Sequence, residues 1–127
     1  MITEKDLKPN YESPKIYFDL KNGVIRLVGN AVKEDFKQDF EVLSRWVELY
    51  CNVPNKTTRV DIEIETISET WRNLIGHILW YLVSLNQTNR TKLNIFWYVT
   101  KQDQLNALNE IEASLNYKIH KISGISD

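Results

Sequence analysis

Two hydrophobic periodicities meet near the middle of the chain. Val60, Ile62 and Ile64 alternate with Asp61, Glu63 and Glu65. A period of two sets the three apolar side chains on one face of a strand and the three carboxylates on the other. Beyond the turn the period changes. Trp71, Leu74, Ile75, Ile78, Leu79, Leu82 and Leu85 recur at the three- and four-residue spacing of a helix with one buried stripe. The chain therefore passes from strand to helix within about five residues, and Thr66, Ser68, Glu69 and Thr70 occupy the passage. A helix N-terminus has unpaired N–H groups and the positive end of the macrodipole, so it attracts negative charge. Such a turn can hold a phosphate, or it can simply be capped. Thr66 with Glu69 fits a capping box, and Ser68 or Thr70 could serve as the N-cap instead.

The rest of the chain reads as elements on either side of this unit. Ile16, Phe18 and Leu20 alternate with Tyr17 and Asp19, which predicts a first strand. Asn22-Gly23 predicts a tight hairpin turn, with a return strand over Val24 to Val28 that Gly29 closes. A helix is expected from about Lys33 to Tyr50 on Phe36, Phe40, Leu43, Val47 and Tyr50, with Trp46 and Cys51 beside the stripe. Glu34 and Asp35 suit its first turn, and Asn52 to Lys56, containing Pro54, ends it and leads to the strand at Val60. Lys92 to Val99 is the next strand, Leu93, Ile95, Trp97 and Val99 facing one way and Phe96 and Tyr98 the other. A third helix runs from about Gln102 to Leu115, and Tyr117 to Ile122 forms a short last strand. Residues 1–13 read as a flexible arm, 14–122 as a single domain and 123–127 as a tail.

The order β-β-α-β-α-β-α-β predicts parallel neighbours joined by right-handed crossovers, plus one antiparallel hairpin. A central strand covered on both faces would not alternate carboxylates with apolar residues. The fold class is therefore α/β, in two layers: a mixed sheet with helices mainly on one face. Asp61, Glu63 and Glu65 should be more exposed than Val60, Ile62 and Ile64.

At 127 residues the chain is the size of one domain. A net charge of −1 and scattered Lys and Arg argue against nucleic acid as the partner. A single cysteine, Cys51, excludes an internal disulfide and a multi-cysteine zinc site. The N-terminal residues lack an apolar leader segment, and no run reaches membrane-spanning length, so neither a membrane nor an exported location is expected. A cytoplasmic protein is the expectation.

Enzyme signatures are missing. There is no Gly-rich phosphate loop, no Gly-x-Ser-x-Gly and no His-Glu-x-x-His. His77 and His120 have no second ligand at metal-binding spacing, and His77 reads as a surface residue. Alternate carboxylates on a strand stand about 7 Å apart, too far for one ion to take all three. The acidic row reads instead as a solvated face, and neither cofactor nor metal is expected. Trp80 falls roughly 180° from Trp71 on the helical wheel, beside Asn73, Gly76, His77 and Ser84. It either packs under a neighbouring helix or loop, or anchors a protein partner together with Asn73 and His77.

The run Ser13-Pro14-x-Ile16-x-Phe18-Asp19-x-x-Asn22-Gly23-Val24 resembles the N-terminal hairpin of the SiaC-type bacterial regulatory phosphoproteins. The likeness continues through Gly29, Glu34-Asp35, Phe40 and Trp46-Val47-Glu48-x-Tyr50, and resumes at Trp97-Tyr98. The resemblance implies a fold like that of STAS-type anti-sigma-factor antagonists (SpoIIAA-like). It also implies a non-enzymatic partner-switching protein of biofilm signalling. In that family a hydroxyl in an Asn-Thr-Ser-Ser segment at the strand-to-helix turn is phosphorylated by a dedicated kinase. A PP2C-type phosphatase reverses it, and the unphosphorylated form engages a partner such as a diguanylate cyclase.

Ser68-Glu69-Thr70-Trp71 stands here in place of that segment. Counting without a gap from Ile64 puts Glu69 at the acceptor position, whereas counting back from Trp97 puts Thr70 there. Ser68 and Thr70 are thus the phosphoacceptor candidates. The alternative is an interaction module of the same fold in which Glu69 carries a permanent charge, about half that of a phosphate.

Overall fold

The structure, a computed structural model, describes residues 14–32 and 37–123, with side chains from Phe40 onward in the first helix. The expected arm, most of the expected tail, and Glu34, Asp35 and Phe36 lie outside the described residues. The elements are β1 (Lys15–Asp19), β2 (Val24–Ala31), α1 (Lys37–Asn52), β3 (Thr57–Ile67), α2 (Glu69–Gln87), β4 (Lys92–Val99), α3 (Gln102–Leu115) and β5 (His120–Ser123). Their order is the one the periodicities predict.

The five strands lie in the sheet in sequence order, β1 antiparallel to β2 and every later pair parallel. Three crossovers advancing in one direction, each right-handed, must place α1, α2 and α3 on the same face. The core lies between that face and the helices. Ile25 and Leu27, then Val60, Ile62 and Ile64, then Leu93, Ile95 and Trp97 are all buried there. The α2 stripe from Trp71 to Leu85 is buried against them.

Three expectations, two about element edges and one about the core, are corrected. The β1–β2 loop has four residues, Leu20 to Gly23, because Asp19 pairs with Val24. Only Gly23 takes positive φ there, and the Asp19 carboxylate closes the loop by accepting from the backbone and side chain of Asn22. Those hydrogen bonds lower the Asp19 pKa. Strand β2 does not end at Gly29 but continues to Ala31 through a bulge, which Gly29 allows with φ +117°. Trp46 is not beside the α1 stripe but inside the core, stacked between Phe18 and Tyr50 at centroid distances of 4.0 and 5.3 Å. Cys51 is half-buried, and burial raises its thiol pKa.

The open sheet face is graded rather than evenly wet. Asp61, Glu63 and Glu65 are each more exposed than their apolar neighbours, yet Asp61 is only 8% exposed. The reason is pairing. Arg59 bonds the Asp61 carboxylate at 3.0 Å while its guanidinium lies 4.3 Å from the Phe96 ring centroid. Arg26 holds Glu63 at 2.6 Å and Lys101 holds Glu65 at 2.9 Å. Each carboxylate of the row has its own cationic partner, and exposure rises along the strand from the covered Asp61 to the solvated Glu65.

Candidate functional site

The passage from strand to helix takes one residue. Ile67, last in β3, pairs with Ala31, and the Ser68 N–H donates to the Ala31 carbonyl at 2.9 Å. Ser68 keeps extended geometry, with φ −79° and ψ 164°, and its Oγ accepts from the Trp71 N–H at 3.2 Å. Its carbonyl takes the first helical bond, from Arg72 N–H. Ser68 is therefore the N-cap, an interaction worth about 1 kcal/mol. The Thr66–Glu69 capping box does not form, because sheet pairing carries β3 past Thr66.

The hydroxyls at the turn are thereby sorted. Ser68 is half-buried with its oxygen engaged, while Thr70 is exposed in the first turn of α2. Glu69, also exposed, supplies the first-turn carboxylate that suits the dipole. Trp71 is 1% exposed and fixes the start of the helix in the core.

Groups from α3 brace this corner, and the sequence did not reveal them. The buried Gln104 side chain donates to the Ile64 carbonyl at 2.7 Å and accepts from the Lys101 N–H at 2.9 Å, tying the start of α3 to the end of β3. Arg72 meets Glu110 at 2.7 Å across α2 and α3. Lys101 and Arg72 are thus both committed to carboxylates. These are pairings across 36 to 40 residues of sequence, and no local pattern marks them.

Asn73, His77 and Trp80 are all exposed on α2, facing away from the sheet. Trp80 is 54% exposed, so it does not pack beneath a neighbouring element. Tyr81, which the sequence reading passed over, joins them, with ring contacts at 5.1 Å to His77 and 5.4 Å to Trp80. Its i+4 spacing from His77 was the available signal. Nine residues from Trp71 to Trp80 span about 14 Å of helix axis. The turn and the aromatic group therefore fit within one interface patch of ordinary size.

A five-stranded sheet in sequence order, three helices on one face and a hydroxyl-bearing turn into the central helix invite comparison with known proteins. The model of the family described as "SiaC family regulatory phosphoprotein" matches residues 7–123. The chain belongs to the SiaC family. No curated protein sequence matches it. Among solved structures it is similar to apo-SiaC from Pseudomonas aeruginosa, with a TM-score of 0.82 and 15% identity, covering 93% of this chain and 97% of that one. It is similar also to SiaC in the complex of the P. aeruginosa diguanylate cyclase SiaD with its activator SiaC. There the TM-score is 0.79 at 16% identity, over 89% of this chain and 93% of that one. At such identities the structural likeness establishes the fold, which is the STAS-like architecture expected of a SiaC family member.

Among the described residues no helix is long and apolar enough to cross a membrane.

Proposed function

We propose that this SiaC family member is a non-enzymatic, cytoplasmic partner-switching regulator controlled by phosphorylation of Thr70. The observation that carries the proposal is the sorting of hydroxyls at the turn: Thr70 is exposed, while the Ser68 oxygen is occupied as a cap. A Ser/Thr kinase can reach Thr70 without dismantling the helix start. A phosphate there sits in the first helical turn, where the dipole favours negative charge, so the fold tolerates it. A PP2C-type phosphatase removes it. The partner is a signalling protein, and a diguanylate cyclase is the class we assign, because P. aeruginosa SiaC is the activator in a complex with one.

The phosphate acts at the interface. It adds about two negative charges and considerable bulk beside a patch whose apolar anchor lies further along the same helix. Titration calorimetry of a diguanylate cyclase from the same host tests this. Unphosphorylated protein and Thr70→Ala should bind alike, and Thr70-phosphorylated protein at least tenfold more weakly. Equal affinities for all three remove the switch.

One observation favours a second reading, the interaction module that needs no phosphate. Glu69 already places an exposed carboxylate in the first turn of α2. In that case the three proteins bind equally and Glu69→Gln alone shifts the affinity.

A further inference from the structure

The large apolar side chains exposed among the described residues fall into two groups. Trp80 and Tyr81 stand on α2, whereas Tyr17, Leu49 and Val53 gather at the outer edge of β1. The rotation of α1 places the second group there. Its inner side, with Leu43, Trp46, Val47 and Tyr50, is buried, and Ser44, Glu48 and Cys51 line a groove with α2. At about 100° per residue, Leu49 lies on the flank turned away from α2, with half-buried Val42 two turns before it. Val53 follows one turn on, its N–H still bonded to the Tyr50 carbonyl at 3.2 Å. That flank overlies β1, because Trp46 stacks on Phe18. Strand β1 is itself a sheet edge, antiparallel to β2 on one side and unpaired on the other among the described residues.

Edge strands are commonly guarded by short length, by Lys or by proline. Strand β5, at the opposite edge, is of this kind: it is short and carries Lys121 without an acid. Strand β1 is different. Its sequence Lys15-Ile16-Tyr17-Phe18-Asp19 contains no proline and complements itself when reversed. Placed antiparallel to a second copy about Tyr17, Lys15 stands opposite Asp19 of the other copy, and Asp19 opposite its Lys15. Opposite charges directly across an antiparallel pair are stabilising. Ile16 and Phe18 then face each other on the helix side, and the two Tyr17 rings meet on the open side. Asp19 also closes the hairpin loop on Asn22, but a carboxylate has lone pairs for a further donor.

We propose that the β1 edge and the adjoining flank of α1 form a symmetric dimer interface with a second copy of this chain. A two-fold axis through Tyr17 stands perpendicular to the sheet and leaves the helices of both copies on one side. Val42, Leu49 and Val53 of each copy then face their counterparts above the joined strands. The self-complementarity selects this occupant. An added strand from an unrelated partner needs no Lys and Asp at mirrored places. Pairing β1 with β5 of another copy would give an open chain of subunits instead of a closed pair. Both α2 faces stay uncovered in the dimer, so the inference does not depend on the partner-switching reading.

Sedimentation equilibrium of the unphosphorylated full chain tests this, and the parent should show a monomer–dimer equilibrium. Leu49→Arg and Lys15→Glu alter exposed residues, so both should melt like the parent. Each should weaken the dimer at least tenfold, since the symmetry repeats every substitution across the axis. Added salt should narrow the gap between Lys15→Glu and the parent, and Trp80→Ala should leave the dimer unchanged. Tyr17→Cys should form a disulfide-linked dimer on mild oxidation faster than Lys15→Cys. Only a residue at the axis meets its own copy, at a Cα separation of about 4.5–5.5 Å that a disulfide can span. A monomer at every concentration overturns the proposal, as does a dimer that either Leu49→Arg or Lys15→Glu leaves at parent strength. A dimer that Trp80→Ala dissolves overturns it too and assigns the contact to α2. Equal rates of disulfide formation by the two cysteine variants remove the Tyr17 axis and the proposal with it.

Discussion

Gly23→Ala should destabilise the fold by about 3 kcal/mol or more, the combined scale of left-handed strain and a broken buried hydrogen-bond network. Gly23 holds φ +67°, and a Cβ there would lie 2.5 Å from the Thr57 carbonyl oxygen and 2.7 Å from the Tyr50 hydroxyl. The carbonyl belongs to the backbone and cannot yield. The hydroxyl belongs to a buried chain, in which Tyr50 meets Thr58 at 2.7 Å and Thr58 meets Thr91 at 2.6 Å. Displacing Tyr50 would strip a partner from Thr58, which is fully buried. The comparison is Gly29→Ala, where φ is +117° but the nearest atom, in Pro14, is 3.9 Å away. That change should cost about 1–2 kcal/mol, from backbone strain alone. Urea unfolding of the two variants checks the ranking, and equal losses would contradict the steric account.

Trp71→Ala and Trp80→Ala should behave as opposites, although both replace a tryptophan of α2. Trp71 is 1% exposed, and truncating it should cost about 3–5 kcal/mol, the range for emptying a large core site. Trp80 is 54% exposed, and its loss should change stability by less than about 1.5 kcal/mol. Partner binding should respond the other way. Trp80→Ala should weaken it by about 2 kcal/mol or more, as for an interface anchor. Thermal melts and a pull-down with the native partner separate the two effects. A large melting loss for Trp80→Ala would make it a core residue, and intact binding would place the interface elsewhere.

Why these two residues could be told apart beforehand, and others could not, follows from the range of the signals. A helix repeats its environment every three or four residues, so the wheel put Trp71 on the buried stripe and Trp80 off it. The 54% exposure of Trp80 then decided between packing under a neighbour and facing outward. Strand alternation likewise assigned Val60, Ile62 and Ile64 to the core. Element order then fixed the layering through crossover handedness.

What the local pattern misjudged depends on partners far away in sequence. Asp61 is nearly covered because Arg59 folds over it toward Phe96 on the next strand. Trp46 lies deep because Phe18, on the first strand, completes its stack. Of the N-caps the sequence offered, the Thr66–Glu69 box is lost and Ser68 is used, because pairing with Ala31 prolongs β3 past Thr66. At the site, hydroxyls near a helix start were legible, but which of them is spoken for became clear only from the Trp71 N–H that Ser68 accepts.

The central claim is that Thr70 carries the regulatory phosphate. Peptide mapping with intact mass on protein purified from its own host tests it most directly. Trypsin should release the segment Val60 to Arg72, which contains Thr66, Ser68 and Thr70. The account predicts one phosphate on a fraction of the molecules, located at Thr70 by fragmentation and removed by a PP2C-type phosphatase. A protein without phosphate under every growth condition, or with its phosphate on Ser68 or outside this segment, would contradict it.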